Sequence, residues 1–214
     1  MKKLNVLAIS AAVAGALLSV SGTATAGVTA NVGATSNYLW RGTSLSNEAA
    51  AVYGGVDYAH DIGFYAGLWQ SSEGLSGSAE TDLYAGFSGE AGDFTYDAGY
   101  LQYTYLQSDP SADFSEIYLS GGWKFVELFY ANSRDLELGT GEGSDYISVT
   151  LTYDRFSFVY GDYGFDDSSN DYSHFDLGVA LTDELSLTYS KNDANGVEGD
   201  GRFVVAYTLE FDVK

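Results

Sequence analysis

The sequence predicts an all-β protein, an antiparallel transmembrane β-barrel of about 12 strands that follows a cleaved signal peptide. Three observations predict this class. The N-terminus has the layout of a secretory signal peptide, the remaining chain alternates apolar and polar residues, and its connections alternate between short and long.

Composition narrows the class of protein. The 214 residues include 30 Asp and Glu, 9 Lys and Arg, 26 Gly, 18 Tyr, one Pro and no Cys. The net charge of -21 argues against nucleic acid as a partner, because phosphate binding needs a basic face. The absence of Cys excludes a disulfide scaffold, and an aromatic content of 15% argues against disorder. A Gly- and Tyr-rich, Pro-poor, acidic chain is typical of many β-strands.

Residues 1–26 predict a secretory signal peptide. Two lysines precede an apolar run from Leu4 to Val20, and Ala24-Thr25-Ala26 provides a small-residue cleavage site. An uncleaved membrane anchor is the alternative interpretation. We therefore expect two parts, the signal peptide over residues 1–26 and an outer-membrane barrel over residues 27–214.

Alternation with a period of two defines twelve segments in the barrel part. None of the residues on their apolar parity is charged. The pattern is compatible with a count between about 10 and 14 strands. The segments cover 28–38, 52–58, 64–68, 81–87, 94–100, 117–119, 126–130, 147–153, 156–160, 175–181, 185–189 and 203–211.

The connections between segments alternate in length. Short ones lie near residues 61, 91, 122, 154 and 183, and long polar ones cover 41–49, 71–79, 106–113, 132–145, 162–174 and 191–201. The period of about 31 residues could indicate a solenoid, but no residue motif recurs with it. Once a long loop and a short turn are subtracted, this period leaves about 9 residues per strand, which is enough for a tilted strand to cross a bilayer. Long loops at one end and short turns at the other are typical of an outer-membrane barrel, and we expect the termini to be periplasmic.

Charged residues within the strands all have the parity opposite to the apolar face. A base facing lipid at mid-depth would cost ~2–4 kcal/mol, so this parity predicts the lumen face. Backbone groups in lipid must all be paired, so the sheet must close. Aromatic residues near strand ends, including Tyr38 and Trp40, predict girdles at the membrane interfaces.

The candidate pore-lining residues are these charged residues together with Arg41. They are Arg41, Asp57, Asp82, Asp97, Glu116, Glu127, Asp176, Arg202 and Glu210. Their excess of acids predicts a lumen that attracts cations and repels anions, unless the acids only hydrate the lumen or pair with neighbouring strands. Arg41 is either a constriction charge or the partner of a lumen carboxylate, and the pairing is favoured because Arg suits bidentate ion pairs.

Four tyrosines on the same parity are the candidate constriction residues: Tyr53, Tyr65, Tyr84 and Tyr118. A barrel of eight strands is filled by its side chains, whereas sixteen strands leave an open channel. About twelve strands with inward tyrosines therefore predict a narrow lumen.

The sequence predicts no enzyme, no metal site and no cofactor. Ser173 and His174 are adjacent, so they point to opposite faces of a strand and cannot form a local catalytic triad. The acidic loop 192–200 lacks the spacing of an EF-hand. We interpret it as a solvated loop, with weak Ca²⁺ or Mg²⁺ binding as the alternative.

The stretch Ser36-Asn37-Tyr38-Leu39-Trp40-Arg41-Gly42-Thr43-Ser44 resembles the N-terminal signature of the TorF family of predicted porins, also called the Gcw_chp family. The likeness continues through Gly55-Val56-Asp57-Tyr58 and Tyr96-Asp97-Ala98-Gly99-Tyr100, and it is dense over residues 36–118. The resemblance implies an outer-membrane barrel labelled a porin, with no established substrate.

Together these observations predict passive diffusion of small cationic or neutral solutes through a narrow porin in the outer membrane of a Gram-negative bacterium. Expected partners are outer-membrane lipid and lipopolysaccharide, the small solutes, and the assembly machinery, which would read the last aromatic strand, 203–211. The alternative is a structural or surface-interaction barrel with a filled lumen and acidic binding loops. The oligomeric state is left open.

Overall fold

The structure of the chain is a computed structural model that describes residues 26–72, 79–106, 113–134, 143–194 and 201–213. The predicted signal peptide lies outside the described residues apart from Ala26. The barrel strands are β1 (Gly27–Thr35), β4 (Ala51–Ala59), β5 (Phe64–Ser72), β6 (Ala79–Ala91), β7 (Phe94–Leu106), β8 (Phe114–Trp123), β9 (Val126–Arg134), β10 (Ser144–Tyr153), β11 (Phe156–Phe165), β12 (Tyr172–Ala180), β13 (Leu185–Asn192) and β14 (Arg202–Val213). Two short strands, β2 (Leu39–Trp40) and β3 (Thr43–Ser44), form a separate hairpin. No helix in the described ranges is long and apolar enough to cross a membrane.

The twelve barrel strands form one closed antiparallel sheet, which confirms the predicted fold class. Each strand pairs with its sequence neighbours, and β1 closes the barrel by pairing with both β4 and β14. The closing ladder runs from Val28 opposite Val213 to Thr35 opposite Ala206. Closure removes every sheet edge and pairs the backbone groups that lipid could not satisfy.

The connections alternate in length, as the sequence predicts. The short turns are 60–63, 92–93, 124–125, 154–155 and 181–184, and they define the short-turn end of the barrel. Gly92, Lys124 and Asp154 each begin a two-residue turn with a positive φ, the backbone that matches the twist of a hairpin. The strand ends that are joined through residues 36–50, 73–78, 107–113, 135–143, 166–171 and 193–201 define the long-loop end.

The two faces of the wall have opposite chemistry. Outward side chains such as Val32, Leu128 and Ile147 are 50%, 59% and 55% exposed and form an apolar belt around the barrel. The inward parity carries the acids, including Asp57 and Glu116, which are buried within the lumen. An apolar belt around a closed barrel is the surface that hydrocarbon requires.

The first segment differs from its prediction. The strand β1 ends at Thr35 rather than Tyr38, and the chain then turns into the lumen. The prediction that Tyr38 and Trp40 belong to an interfacial girdle was therefore wrong. Tyr38 is 3% exposed, and its backbone N–H donates to the Ser46 hydroxyl (2.8 Å) inside the barrel. This hydrogen bond from a nearby side chain replaces the strand pairing that the backbone of Tyr38 lacks.

Candidate functional site

The connection between β1 and β4, residues 36–50, is an inward loop that lies in the lumen near the long-loop end. Its own polar groups organise it. Asn37 Oδ1 accepts hydrogen bonds from the hydroxyls of Ser44 (2.7 Å) and Ser46 (3.0 Å), and Leu45 N donates to Tyr38 O (2.8 Å). Hydroxyl and amide side chains favour such local turns over strand pairing. The inward loop therefore has a defined shape of its own.

The tip of the inward loop is a two-residue turn between β2 and β3. Arg41 and Gly42 form it with φ values of 48° and 79°, the pair of positive values found in the tight turn of a hairpin. A Cβ at Gly42 would lie 2.5 Å from the His174 Cβ, so both the backbone and the close approach require glycine there. The turn directs the Arg41 side chain away from its own strands and across the lumen.

Arg41 forms a buried bidentate ion pair with Glu116. Its Nη1 and Nη2 donate to Glu116 Oε1 (2.8 Å) and Oε2 (2.7 Å), and the two side chains are only 6% and 1% exposed. The Arg41 Cζ lies 4.5 Å from the ring centroid of Trp40, 4.2 Å from that of Tyr146 and 5.3 Å from that of Tyr163. Ring faces attract a desolvated guanidinium, so the cage and the carboxylate act together.

The inward loop spans the barrel. Glu116 lies on β8, which is separated from β1 by six strands in one direction and from β4 by three in the other. Tyr38 donates to Glu80 on β6, whereas Gly42 O accepts from Asn192 Nδ2 on β13 (2.9 Å). Contacts with walls on both sides show that the loop crosses the long-loop half of the lumen.

The inward face at the short-turn end is acidic and retains access to solvent. Asp97 and Glu127 are half-buried and Glu210 is exposed, whereas Asp57 is 7% exposed. Within the described ranges, none of these four carboxylates forms a salt bridge. We call Asp57, Asp97, Glu127 and Glu210 the acidic vestibule. Carboxylates without a compensating base give this part of the lumen a negative potential.

The four candidate constriction tyrosines share one arrangement. Each ring covers a glycine directly opposite on a neighbouring strand, in the pairs Tyr53–Gly33, Tyr65–Gly86, Tyr84–Gly67 and Tyr118–Gly99. Packing an aromatic ring over a glycine is a known way to hold strand register. The rings therefore lie along the wall, and the inward loop rather than these rings occupies the middle of the long-loop half.

The hydroxyls of these tyrosines hold vestibule carboxylates. Tyr65 donates to Asp97 Oδ1 (2.7 Å), and Tyr84 donates to Asp57. Tyr65 also bonds the Tyr118 hydroxyl. The acids are thus oriented by hydrogen bonds from the wall without being neutralised.

The remaining predicted residues lie elsewhere in the lumen. Asp82 and Asp176 are buried at 8% and 2% exposure, on β6 and β12. Arg202 donates from Nε to Glu48 Oε1 (3.1 Å) and so binds the outer part of the inward loop. Sequence reasoning did not select Glu80 or Tyr146 although both have the inward parity, because neither the Tyr38 contact nor the Arg41 cage has a local pattern.

The loop carboxylates serve the loops themselves. Asp193 accepts from the backbone N–H (2.6 Å) and the hydroxyl (2.9 Å) of Ser173, and these hydrogen bonds lower the pKa of Asp193. Asp166 accepts from Gly143 N (2.9 Å). Across the parts of the chain that the structure describes, no group of three or more His, Cys, Asp or Glu converges on a metal position. Most of the acidic loop 192–200, for which weak Ca²⁺ or Mg²⁺ binding was the alternative interpretation, lies outside the described residues, at 195–200.

The closed barrel, its apolar belt and its polar lumen define a porin-like outer-membrane β-barrel located in the bacterial outer membrane. Residues 20–195 match the family model described as a bacterial protein of unknown function, Gcw_chp, and the chain belongs to that family. No curated protein matches it by sequence.

Several solved outer-membrane structures are similar to this chain. The KdgM porin has a TM-score of 0.57 and 9% identity, covering 86% of this chain and 99% of that chain. The KdgM porin in complex with disordered oligogalacturonate has a TM-score of 0.53 and 8% identity, covering 87% and 99%. Outer membrane phospholipase A from Escherichia coli has a TM-score of 0.48 and 11% identity, covering 86% and 90%. At these identities the likeness to the two KdgM porin structures shows the fold alone.

Proposed function

We propose that this protein is an outer-membrane porin for passive diffusion of small solutes, that its channel is narrow, and that it favours cations and neutral solutes over anions. The acidic vestibule carries the proposal, because its four carboxylates face the lumen without a basic partner in the described ranges. The inward loop supplies the narrow section, because solutes would have to pass around it. The TorF-like signature over residues 36–118 supports the same function.

The bases of the lumen do not offset this charge. Arg41 is neutralised by Glu116, and Arg202 by Glu48 at the outer side of the inward loop. A surplus of carboxylates in a low-dielectric tube concentrates cations and excludes anions. Oligogalacturonate, bound by the KdgM porin in one of the similar structures, is an acidic sugar oligomer. The acidic vestibule would repel such an anion, so we expect this chain not to bind oligogalacturonate.

No catalytic role is part of the proposal. The His174 Nε2 lies 2.9 Å from the Tyr146 hydroxyl, whereas the Ser173 hydroxyl donates to Asp193 on the other side of the strand. A serine hydrolase needs the serine hydroxyl against the imidazole, and here the Ser173 hydroxyl bonds Asp193 instead.

A structural or surface-interaction barrel with a filled lumen is the second candidate. The observation that favours it is the depth at which the inward loop is anchored, since Arg41 and Leu39 are 5% and 0% exposed. A loop held by a buried ion pair could close the lumen permanently.

Conductance and ion selectivity separate the two candidates. Protein refolded in detergent and inserted into planar bilayers should give small channels with a cation-selective reversal potential in a KCl gradient. Selectivity should weaken as salt rises, because charges are screened over about 8–10 Å at 0.1–0.15 M ionic strength. No conductance from folded protein would favour the filled-lumen barrel, and anion selectivity would contradict the proposed preference.

A matched pair of triple variants tests the acidic vestibule. Replacing Asp57 and Asp97 by Asn and Glu127 by Gln removes three lumen charges and should reduce the reversal potential. Replacing three acids of the 166–171 loop, Asp166, Asp167 and Asp171, by Asn removes the same charge outside the barrel and should change it less. Equal effects would mean that surface charge rather than the vestibule sets the selectivity.

A further inference from the structure

A buried cluster of polar side chains on β12 and β13 lies against the inward loop. His174 is paired across the strands with Asn192, and Asp176 with Ser190. All four are 1–2% exposed and share the lumen face. Among the described residues, five of their polar atoms have no hydrogen-bond partner: His174 Nδ1, Asp176 Oδ1 and Oδ2, Ser190 Oγ and Asn192 Oδ1, of which His174 Nδ1 and Asp176 Oδ2 lie 3.3 Å apart as an ion pair.

Such a concentration of unpartnered buried atoms requires an explanation, because native proteins satisfy buried polar groups with protein, water or ions. Carboxylate and amide oxygens only accept hydrogen bonds. A cation, or a group that supplies several donors at once, would satisfy the Asp176 and Asn192 oxygens together. Of the two lumen guanidiniums, Arg41 is committed to Glu116, and Arg202, which lies opposite Ser190 on β14, donates to Glu48.

One of the two neutral tautomers of His174 presents a metal-binding lone pair to Asp176. Its Nε2 lies 2.9 Å from the Tyr146 hydroxyl, and the two rings stack at 12°. An Nε2–H that donates to the Tyr146 oxygen leaves the lone pair on Nδ1, which lies 3.3 Å from Asp176 Oδ2. Histidines that bind metals are held through their second ring nitrogen in this way.

We propose that His174 and Asp176 bind a divalent transition-metal ion such as Zn²⁺, with Asn192 Oδ1 and Ser190 Oγ completing its shell. Zn–N and Zn–O bonds of about 2.0–2.2 Å place two tetrahedral ligands about 3.3–3.6 Å apart. The observed separation of 3.3 Å between His174 Nδ1 and Asp176 Oδ2 matches this ligand-to-ligand distance. An imidazole in the set selects Zn²⁺, Co²⁺ or Ni²⁺ over Mg²⁺, which prefers oxygen ligands alone.

The inward loop covers this site. Asn192 Nδ2 donates to Gly42 O (2.9 Å), and a Cβ on Gly42 would lie 2.5 Å from His174 Cβ. A bound ion would fix the Asn192 side chain that holds the loop tip. The site thus joins the wall of β12 and β13 to the inward loop. The proposed metal site does not depend on whether the lumen conducts.

Binding of metal alone to the folded, metal-stripped protein in detergent tests the proposal. Isothermal titration with ZnCl₂ should show one site per chain, and MgCl₂ should not compete for it. Co²⁺ in place of Zn²⁺ should give visible absorption bands typical of a nitrogen-containing, low-coordinate site. His174→Gln and Asp176→Asn should each weaken Zn²⁺ binding by about tenfold or more, since each removes a direct ligand.

The chain supplies a matched control. Its other histidine, His60, lies beside Asp61 at the short-turn end with its side chain 40% exposed, so His60→Gln should leave the buried site intact. Heat-modifiable migration of each variant on a gel checks that the barrel has folded. If Asp176→Asn does not fold, His174→Gln and the wild-type Co²⁺ spectrum decide the question. Absence of Zn²⁺ binding to wild-type protein, or binding lost equally in His60→Gln, would overturn the site and leave ordered water as the partner of these atoms.

Discussion

Removing the Arg41 guanidinium should strongly destabilise the barrel and release the inward loop. Arg41→Ala leaves the Glu116 carboxylate at 1% exposure with the Tyr103 hydroxyl as a remaining donor at 3.2 Å. Breaking one side of a buried ion pair costs about 3–5 kcal/mol, because the other charge stays buried without a partner. Loss of the aromatic cage adds about 0.5–2 kcal/mol. We therefore expect the free energy of unfolding to fall by at least about 3 kcal/mol.

Urea unfolding in lipid vesicles, followed by circular dichroism, measures this loss, and a double-mutant cycle isolates the pair. Arg41→Ala with Glu116→Ala should cost much less than the sum of the two single variants, because no charge is left unpaired. Arg202→Ala is the control. Its partner Glu48 is 63% exposed, so that pair should contribute at most about 1 kcal/mol. If Arg41→Ala costs no more than Arg202→Ala, or if the single costs simply add, the ion pair does not anchor the loop.

Two further predictions concern residues in the barrel wall. Leu151→Arg should destabilise the folded barrel by ~1–3 kcal/mol, because Leu151 is 39% exposed on the lipid face between mid-depth and the short-turn end of β10. Thr150→Arg, on the inward face, should have a much smaller effect. Equal loss of heat-modifiable folded protein from the two variants would contradict the face assignment. Gly99→Ala should cost about 1–3 kcal/mol, because its Cβ would displace the Tyr118 ring into the lumen, while Gly164→Ala meets only a backbone oxygen at 3.9 Å and should be nearly neutral. Urea unfolding of both glycine variants checks this, and equal costs would mean that the ring has room to move.

The barrel itself follows from local information. Alternation with a period of two assigns each strand residue to a face, and the charged residues mark the inward one. Asp57, Asp97 and Glu127 were identified in this way, since each lies on the parity opposite to its apolar neighbours. Alternating connection lengths then give an even strand count and a common end for the long loops.

The inward loop could not be predicted in the same way. Its polar, Gly-containing sequence is typical of an exposed loop, and the period-two pattern continues through Tyr38. The groups that draw it inward are far along the chain: Glu116 is 75 residues from Arg41, and Asn192 is 150 residues from Gly42. A local signal did exist at the tip, because Arg-Gly between two short segments is typical of a tight hairpin turn.

The lumen tyrosines show a similar limit. Sequence parity places Tyr84 and Tyr118 inside the barrel, but only the strand register reveals that Gly67 and Gly99 lie opposite them. A missing side chain on one strand gives the neighbouring ring a place to lie. Register, which is a property of two strands, therefore decides whether an inward tyrosine fills the lumen or lines it.

The position of the inward loop has a consequence for the order of assembly. Its sequence precedes eleven of the twelve barrel strands, yet its partners Glu116, Asn192 and Arg202 belong to β8, β13 and β14. Contacts of such high sequence separation are slow to form, because the intervening chain must first be ordered. The arginine tip therefore stays hydrated at least until β8 supplies Glu116, and Asn192 and Arg202 can hold the loop only after β13 and β14 have joined the sheet. Docking of the loop is thus completed late in folding, and a chain that stalls before β14 is added would lack the Arg202 contact that holds the outer part of the loop.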